Sequence, residues 1–83
     1  MPKLPRIKAT FVIRALEKLG FVQVRQRGSH VILKKQISTE ENGQKTIEKG
    51  CVVPLHQKTL AVGTLKSILN QAGVSVEEFL DSL

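Results

Sequence analysis

The chain reads as a two-layer α+β domain ordered α-β-β-β-α with a short C-terminal helix. Three observations predict this. Val12, Ala15, Leu16 and Leu19 near one end, and Leu65, Ile68, Leu69 and Ala72 near the other, each fall at i, i+3, i+4 and i+7, the single apolar stripe of a half-buried helix. The segments between them alternate apolar and polar residues with a period of two, as strands do. Two helices with one stripe each need one sheet face to cover them. An antiparallel sheet tolerates water on its other face.

In chain order, residues Met1 to Ile7 hold Pro2 and Pro5 and read as an extended lead-in. The first helix is expected from Lys8 or Ala9 to Leu19, with Gly20 able to take the left-handed conformation that ends it. Thr10 is a possible N-cap, at the cost of one turn of helix. Phe21 to Gln26 is a strand with Val22 and Val24 on one side and Gln23 and Arg25 on the other. Arg27-Gly28-Ser29 turns the chain, and His30 to Lys35 returns it, with Val31 and Leu33 opposite His30, Ile32 and Lys34. With the valines packed on the helices, the other face carries Arg25, His30 and Lys34 together; a bulge or a one-residue register change would reverse a strand's faces.

Gln36 to Lys45 is a polar connection with an Asn42-Gly43 turn. Its Glu40-Glu41 pair reads as solvated loop charge, since two adjacent carboxylates make a poor metal site. The third strand runs from Thr46 to Val53 and Pro54 ends it; His56-Gln57-Lys58 lies in the loop that follows. The second helix is expected from Gly63 or Thr64 to Ala72, closed by Gly73. Ser75 and Glu78 are spaced as a capping box for a last helix, about Val76 to Ser82, that docks Phe79. The element order is that of double-stranded-RNA-binding domains, which read shape and backbone; order alone does not give function.

At 83 residues the chain fits one small domain, 1–83, without repeats or low-complexity tracts. No apolar run approaches a membrane span, and the basic start MPKLPRIK, with no apolar core or small-residue cleavage site, is not expected to act as a secretory signal. The single cysteine, Cys51, has no disulfide partner in the chain, and Val52 and Val53 beside it favour a buried thiol. These features suggest a cytoplasmic protein. The net charge of +6 is unevenly placed: nine basic residues face Glu17 alone through Lys35, whereas four face six acidic residues from Gln36 on. A basic half of this kind suits a polyanion, nucleic acid first. Neither helix shows a Gln, Asn or Arg cluster aimed at a major groove, so sequence-specific DNA binding by this chain alone is not expected.

The stretch RQRGSHVIL, Arg25 to Leu33, concentrates the candidate chemistry. Histidine is the side chain whose unperturbed pKa permits proton exchange near neutral pH. His30, beside arginines on a basic chain, suggests acid/base work on a phosphodiester; a lone histidine beside a turn is also a common surface or packing residue. RNA brings its own nucleophile, the 2′-OH. Cleavage then needs a base, an acid for the leaving 5′-oxygen and positive charge on the phosphorane, with no metal and no enzyme nucleophile. His30 suits either proton role. Arg25, Arg27 and Lys34 are candidates for phosphate binding, and Gly28 would let the backbone approach closely. Ser29 reads as a hydrogen-bonding turn residue rather than a nucleophile. His56 is a possible second imidazole, but Pro54 and the loop context fit a structural or surface role equally well, and spacing cannot show adjacency.

The chain resembles the HicA-type (YcfA-like) toxins of bacterial toxin–antitoxin pairs. The resemblance rests on IRALEKLGF (Ile13 to Phe21), RQRGSHVIL, VPLH (Val53 to His56) and GTLKSILNQAGVSVEEF (Gly63 to Phe79), in the family's order. Many members open the first helix with Ser-Gly, where this chain has Lys8-Ala9. The resemblance implies a double-stranded-RNA-binding-like fold and an mRNA interferase that cleaves transcripts through one histidine, here His30. It also implies no cofactor, and a cognate HicB-type antitoxin as partner. Two rival functions fit the same residues. A non-catalytic RNA-binding module would bind RNA and leave it intact. An interaction protein would hold an acidic partner and show no RNA affinity of its own.

Overall fold

Local pattern and observed fold agree closely in the computed structural model, which describes residues 4–38, 46–56 and 58–83. The elements are β1 (Ile7–Lys8), α1 (Ala9–Lys18), β2 (Val22–Arg27), β3 (His30–Ser38), β4 (Thr46–Pro54), β5 (Thr59–Leu60), α2 (Val62–Ala72) and α3 (Val76–Asp81). β2, β3 and β4 form an antiparallel sheet in that order. It is the α-β-β-β-α plan with a C-terminal helix that the periodicities predict. β3 runs on through Ser38, three residues into the connection expected from Gln36; the rest of that connection, with Glu40, Glu41 and Asn42-Gly43, lies outside the described residues, as do Pro2 and Gln57.

One sheet face carries Val31, Leu33, Cys51 and Val53, all buried. Val31 pairs with Val53 and Leu33 with Cys51 across the β3–β4 ladder, so these side chains stand side by side. Against them pack Val12, Ala15 and Leu16 of α1, and Leu65, Ile68, Leu69 and Ala72 of α2, in one buried cluster with Phe79 of α3. Complete burial of a leucine or phenylalanine stabilises by about 1.5–3 kcal/mol relative to exposure, so this layer dominates the fold. The Cys51 thiol, buried as its neighbours suggested, is pushed from 9.0 up to about 11 by loss of solvation.

The helix ends are satisfied in different ways. Thr10 does not cap α1; Lys8 occupies the N-cap without a side-chain bond, and the Ala9 amide donates to the Lys58 carbonyl at 3.3 Å. That bond belongs to the pairing of β1 with β5, Ile7 opposite Leu60 and Lys8 opposite Thr59. At the other end, Lys35 Nζ donates to the Leu19 carbonyl at 2.7 Å, placing a cation at the negative end of the α1 dipole. Its ladder partner Lys49 lies over Gly73, where an added Cβ would sit 3.5 Å from Lys49 Cε. Two lysines on the core side of the sheet thus extend to the C-termini of the two long helices. Gly73 ends α2 in the left-handed conformation with φ 69°. The Ser75–Glu78 capping box opens α3 with both reciprocal bonds formed.

One expectation is corrected. Val22 and Val24 do not pack on the helices; they are 62% and 53% exposed. Val22 pairs with Lys34, Gln23 with Leu33 and Arg25 with Ile32, and the register shifts between Gln23 and Arg25. Val24 is therefore a bulge residue. β2 is an edge strand exposed along its length, and the buried aromatic just before it, Phe21, supplies its anchor to the core. The extra residue restores Arg25 to the face of Ile32 and Lys34, so Arg25, His30 and Lys34 share a face although the premise that placed them there does not hold.

Candidate active site

The turn joining β2 to β3 has Arg27 and His30 as its last ladder pair. Only Gly28 and Ser29 lie between them. Gly28 has φ 54°, and among the described residues no non-glycine has a positive φ. A positive φ confined to the first central residue is the mark of a type II′ turn, whose twist suits a hairpin. A Cβ at Gly28 would meet nothing within 4 Å, so glycine is needed there for backbone conformation and not for space. The Gln26 side-chain amide donates to the Gly28 carbonyl at 3.0 Å. The Leu55 amide donates to the Ser29 carbonyl, which ties the segment after β4 to the turn.

His30 is exposed, on the face away from the core. Cross-strand partners share a face, so Arg27 stands directly beside it and Arg25 one pleat farther along β2. Lys34 shares the face but is four residues along β3, about 13 Å at the usual rise per residue. It also forms an ion pair with Glu48 at 3.1 Å. The structure therefore brings His30, Arg27, Gly28 and Arg25 together and sets Lys34 at a distance, partly engaged elsewhere. Ser29 is half-buried, and its described role is through its carbonyl at the turn.

His56 lies where spacing gave no indication. His30 is opposite Pro54 in the ladder, and two residues on from Pro54 the chain has left the sheet. Proline fixes its own φ, and the Leu55–Ser29 bond holds the next residue. Together they bring the His56 ring to 5.7 Å from the His30 ring, centroid to centroid, at an interplanar angle of 48°. Both rings are exposed.

The two imidazoles open onto a cleft of about 550 Å³ between the end of β4 and α2. His30, Pro54 and His56 form one wall; Thr64, Ser67 and Gln71 of α2 face them. Those three α2 residues were not singled out from the sequence. The signal was present in their positions: they lie off the apolar stripe of α2, at a three- and four-residue spacing that keeps them on one flank. Among the described residues no three His, Cys, Asp or Glu side chains converge as metal ligands, and no helix is long and apolar enough to cross a membrane.

Comparison with known proteins places this arrangement in context. The family model described as HicA toxin of bacterial toxin-antitoxin matches residues 11–74, a span that includes all but the first two residues of α1, the whole three-stranded sheet, both histidines and α2. No curated protein matches the chain.

Proposed function

Because the chain belongs to the HicA toxin family of bacterial toxin–antitoxin pairs, we propose that it is an endoribonuclease that cleaves mRNA by acid/base chemistry at His30. The observation that carries this reading is the placement of an exposed imidazole directly across a ladder from Arg27, on the wet face of the sheet and at the mouth of a cleft. A family of toxins implies a cognate antitoxin, and a HicB-type protein is the partner proposed for this chain.

The reaction asks little of the protein beyond position and charge. The RNA 2′-oxygen attacks the adjacent phosphorus and the bond to the 5′-oxygen breaks. His30 moves a proton at one of these oxygens. Arg27, and Arg25 behind it, supply donors to the non-bridging oxygens as negative charge builds there. The type II′ turn at Gly28 leaves the backbone open to close approach by the phosphate. Lys34 contributes more remotely, to the field that draws RNA to this face. Since the substrate provides the nucleophile, the chemistry calls for neither cofactor nor metal.

The test uses the purified chain and an RNA oligomer in EDTA. The expected products end in a 2′,3′-cyclic phosphate and a 5′-hydroxyl, and a single 2′-deoxy substitution at a mapped cut site abolishes cleavage there. RNA that is bound and left intact would instead support a non-catalytic binding module.

A further inference from the structure

We infer that His56 is the second catalytic residue of this site, exchanging the proton that His30 does not. The inference deepens the ribonuclease reading and rests on it.

The argument starts from what one imidazole leaves undone. Cleavage of the phosphodiester moves two protons: one leaves the 2′-hydroxyl as the 2′-O–P bond forms, and one arrives at the 5′-oxygen as the P–O5′ bond breaks. The attacking and departing oxygens lie on opposite sides of phosphorus. A single ring on one side can serve one of them at a catalytic hydrogen-bond distance of about 2.6–3.2 Å. The other requires a second group or water.

The fold supplies that second group at the right place. His30 and His56 come from different segments, the first residue of β3 and the loop after β4, yet their centroids are 5.7 Å apart. With each ring able to reach a further hydrogen-bond length, both can contact a single phosphodiester. The tilt of 48° is not that of a stacked pair and leaves ring edges accessible to a group seated against them. Both line the same cleft, across from the neutral polar residues Thr64, Ser67 and Gln71, where the flanking nucleotide has donors and acceptors to meet.

Two features hold His56 in this position. Pro54, in the ladder opposite His30, stiffens the exit from β4. The Leu55 amide bonds to the carbonyl of Ser29, the residue immediately before His30. The two histidines are thus referenced to the same turn. His56 is exposed, so its ring is open to a substrate seated in the cleft.

The protons balance across the step. One imidazole, neutral at the start, takes the proton of the 2′-hydroxyl. The other, an imidazolium at the start, gives its proton to the 5′-oxygen. The ring states are exchanged at the end, and solvent resets them.

The test compares the full chain with His56→Ala and His30→Ala on an RNA oligomer, with melting curves and binding of a non-cleavable 2′-deoxy analogue as controls. With folding and binding retained, His56→Ala is expected to cleave about 10²- to 10⁴-fold more slowly. It should also lose one limb of a bell-shaped dependence of kcat/KM on pH. A substrate whose leaving 5′-oxygen is replaced by sulfur needs no proton on departure. It should restore the variant that lacks the acid and leave the other slow. His56→Ala cleaving near the wild-type rate, a bell that survives intact, or equal responses of both variants to the sulfur substrate would overturn the pair. If His56→Ala is active and His30→Ala is dead, the pair falls and the His30 reading stands. If His30→Ala remains active, both fall.

Discussion

The two faces of the three-stranded sheet are made from alternate residues of the same strands, and they do opposite work. Val31, Leu33, Cys51 and Val53 point inward and are buried. His30 and Lys34, with Arg25 and Arg27 across the ladder, point outward and are exposed. His30 and Val31 are adjacent in the chain, so a single backbone step separates candidate chemistry from core. The inner face holds the sheet to the helices and sets the position of every outer residue. The outer face contributes little to stability and so is free to carry charge. This division teaches that catalytic and stability effects should separate cleanly by residue parity along β3.

The contrast can be broken first where burial is greatest. Leu33→Ala removes a fully buried side chain from the centre of the cluster and should cost about 2–5 kcal/mol, measured by urea denaturation. Ile32, next to it and half-buried on the other face, should tolerate alanine at a smaller cost. Equal losses would mean that the faces are not distinct in energy.

The buried thiol gives a pH test of the same inner face. Burial raises the Cys51 pKa in the folded chain to about 11. Above pH 9 the unfolded chain therefore loses this proton while the folded chain keeps it, and the unfolded state binds fewer protons. Stability must then fall as pH rises from about 9 towards 11. In Cys51→Ala that part of the alkaline slope should vanish, whatever the variant's stability at neutral pH. Thiol alkylation of the folded wild-type chain at neutral pH should be slow for the same reason.

Smaller effects sharpen the boundary. Ser75→Ala removes one half of the capping box that opens α3 and should cost about 1 kcal/mol, readable as a lower melting temperature with no change at the outer face. Arg27→Ala should leave stability within about 0.5 kcal/mol. It should weaken RNA binding, and reduce the slope of log affinity against log salt by about 0.7–0.9 for the one phosphate contact removed. An unchanged salt slope would remove Arg27 from the phosphate-binding surface.

Much of this organisation was legible before any coordinates. The stripes of α1 and α2 and the α3 capping box follow from side-chain spacing, and they appear within a residue or two of where the spacing puts them. Strand parity puts Arg25, His30 and Lys34 on one face and Arg27 in the turn; the structure keeps the first three on that face only through the bulge at Val24, and adds Arg27 directly opposite His30. The failures have physical causes. β1 and β5 are two residues each, too short to show any periodicity; Leu60 is buried in the core cluster, and the Lys58 carbonyl just before β5 accepts from the Ala9 amide at the start of α1. Val22 and Val24 read as inward because apolar residues usually are; an edge strand anchored by Phe21 had no need of them, and a bulge is invisible in composition. The proximity of His56 to His30 depends on a backbone bond between segments 26 residues apart, Ser29 and Leu55, and no local pattern encodes that. In the sequence Lys35 and Lys49 enter only the charge balance; in the fold Lys35 Nζ donates to the Leu19 carbonyl at the end of α1 and Lys49 lies over the end of α2.

The most direct measurement of the central claim is RNA cleavage in EDTA by the wild-type chain and by His30→Ala, each shown to melt at the same temperature. The account predicts a fall of about 10²- to 10⁴-fold with undiminished folding. A folded His30→Ala chain that cleaves RNA at the wild-type rate would contradict it.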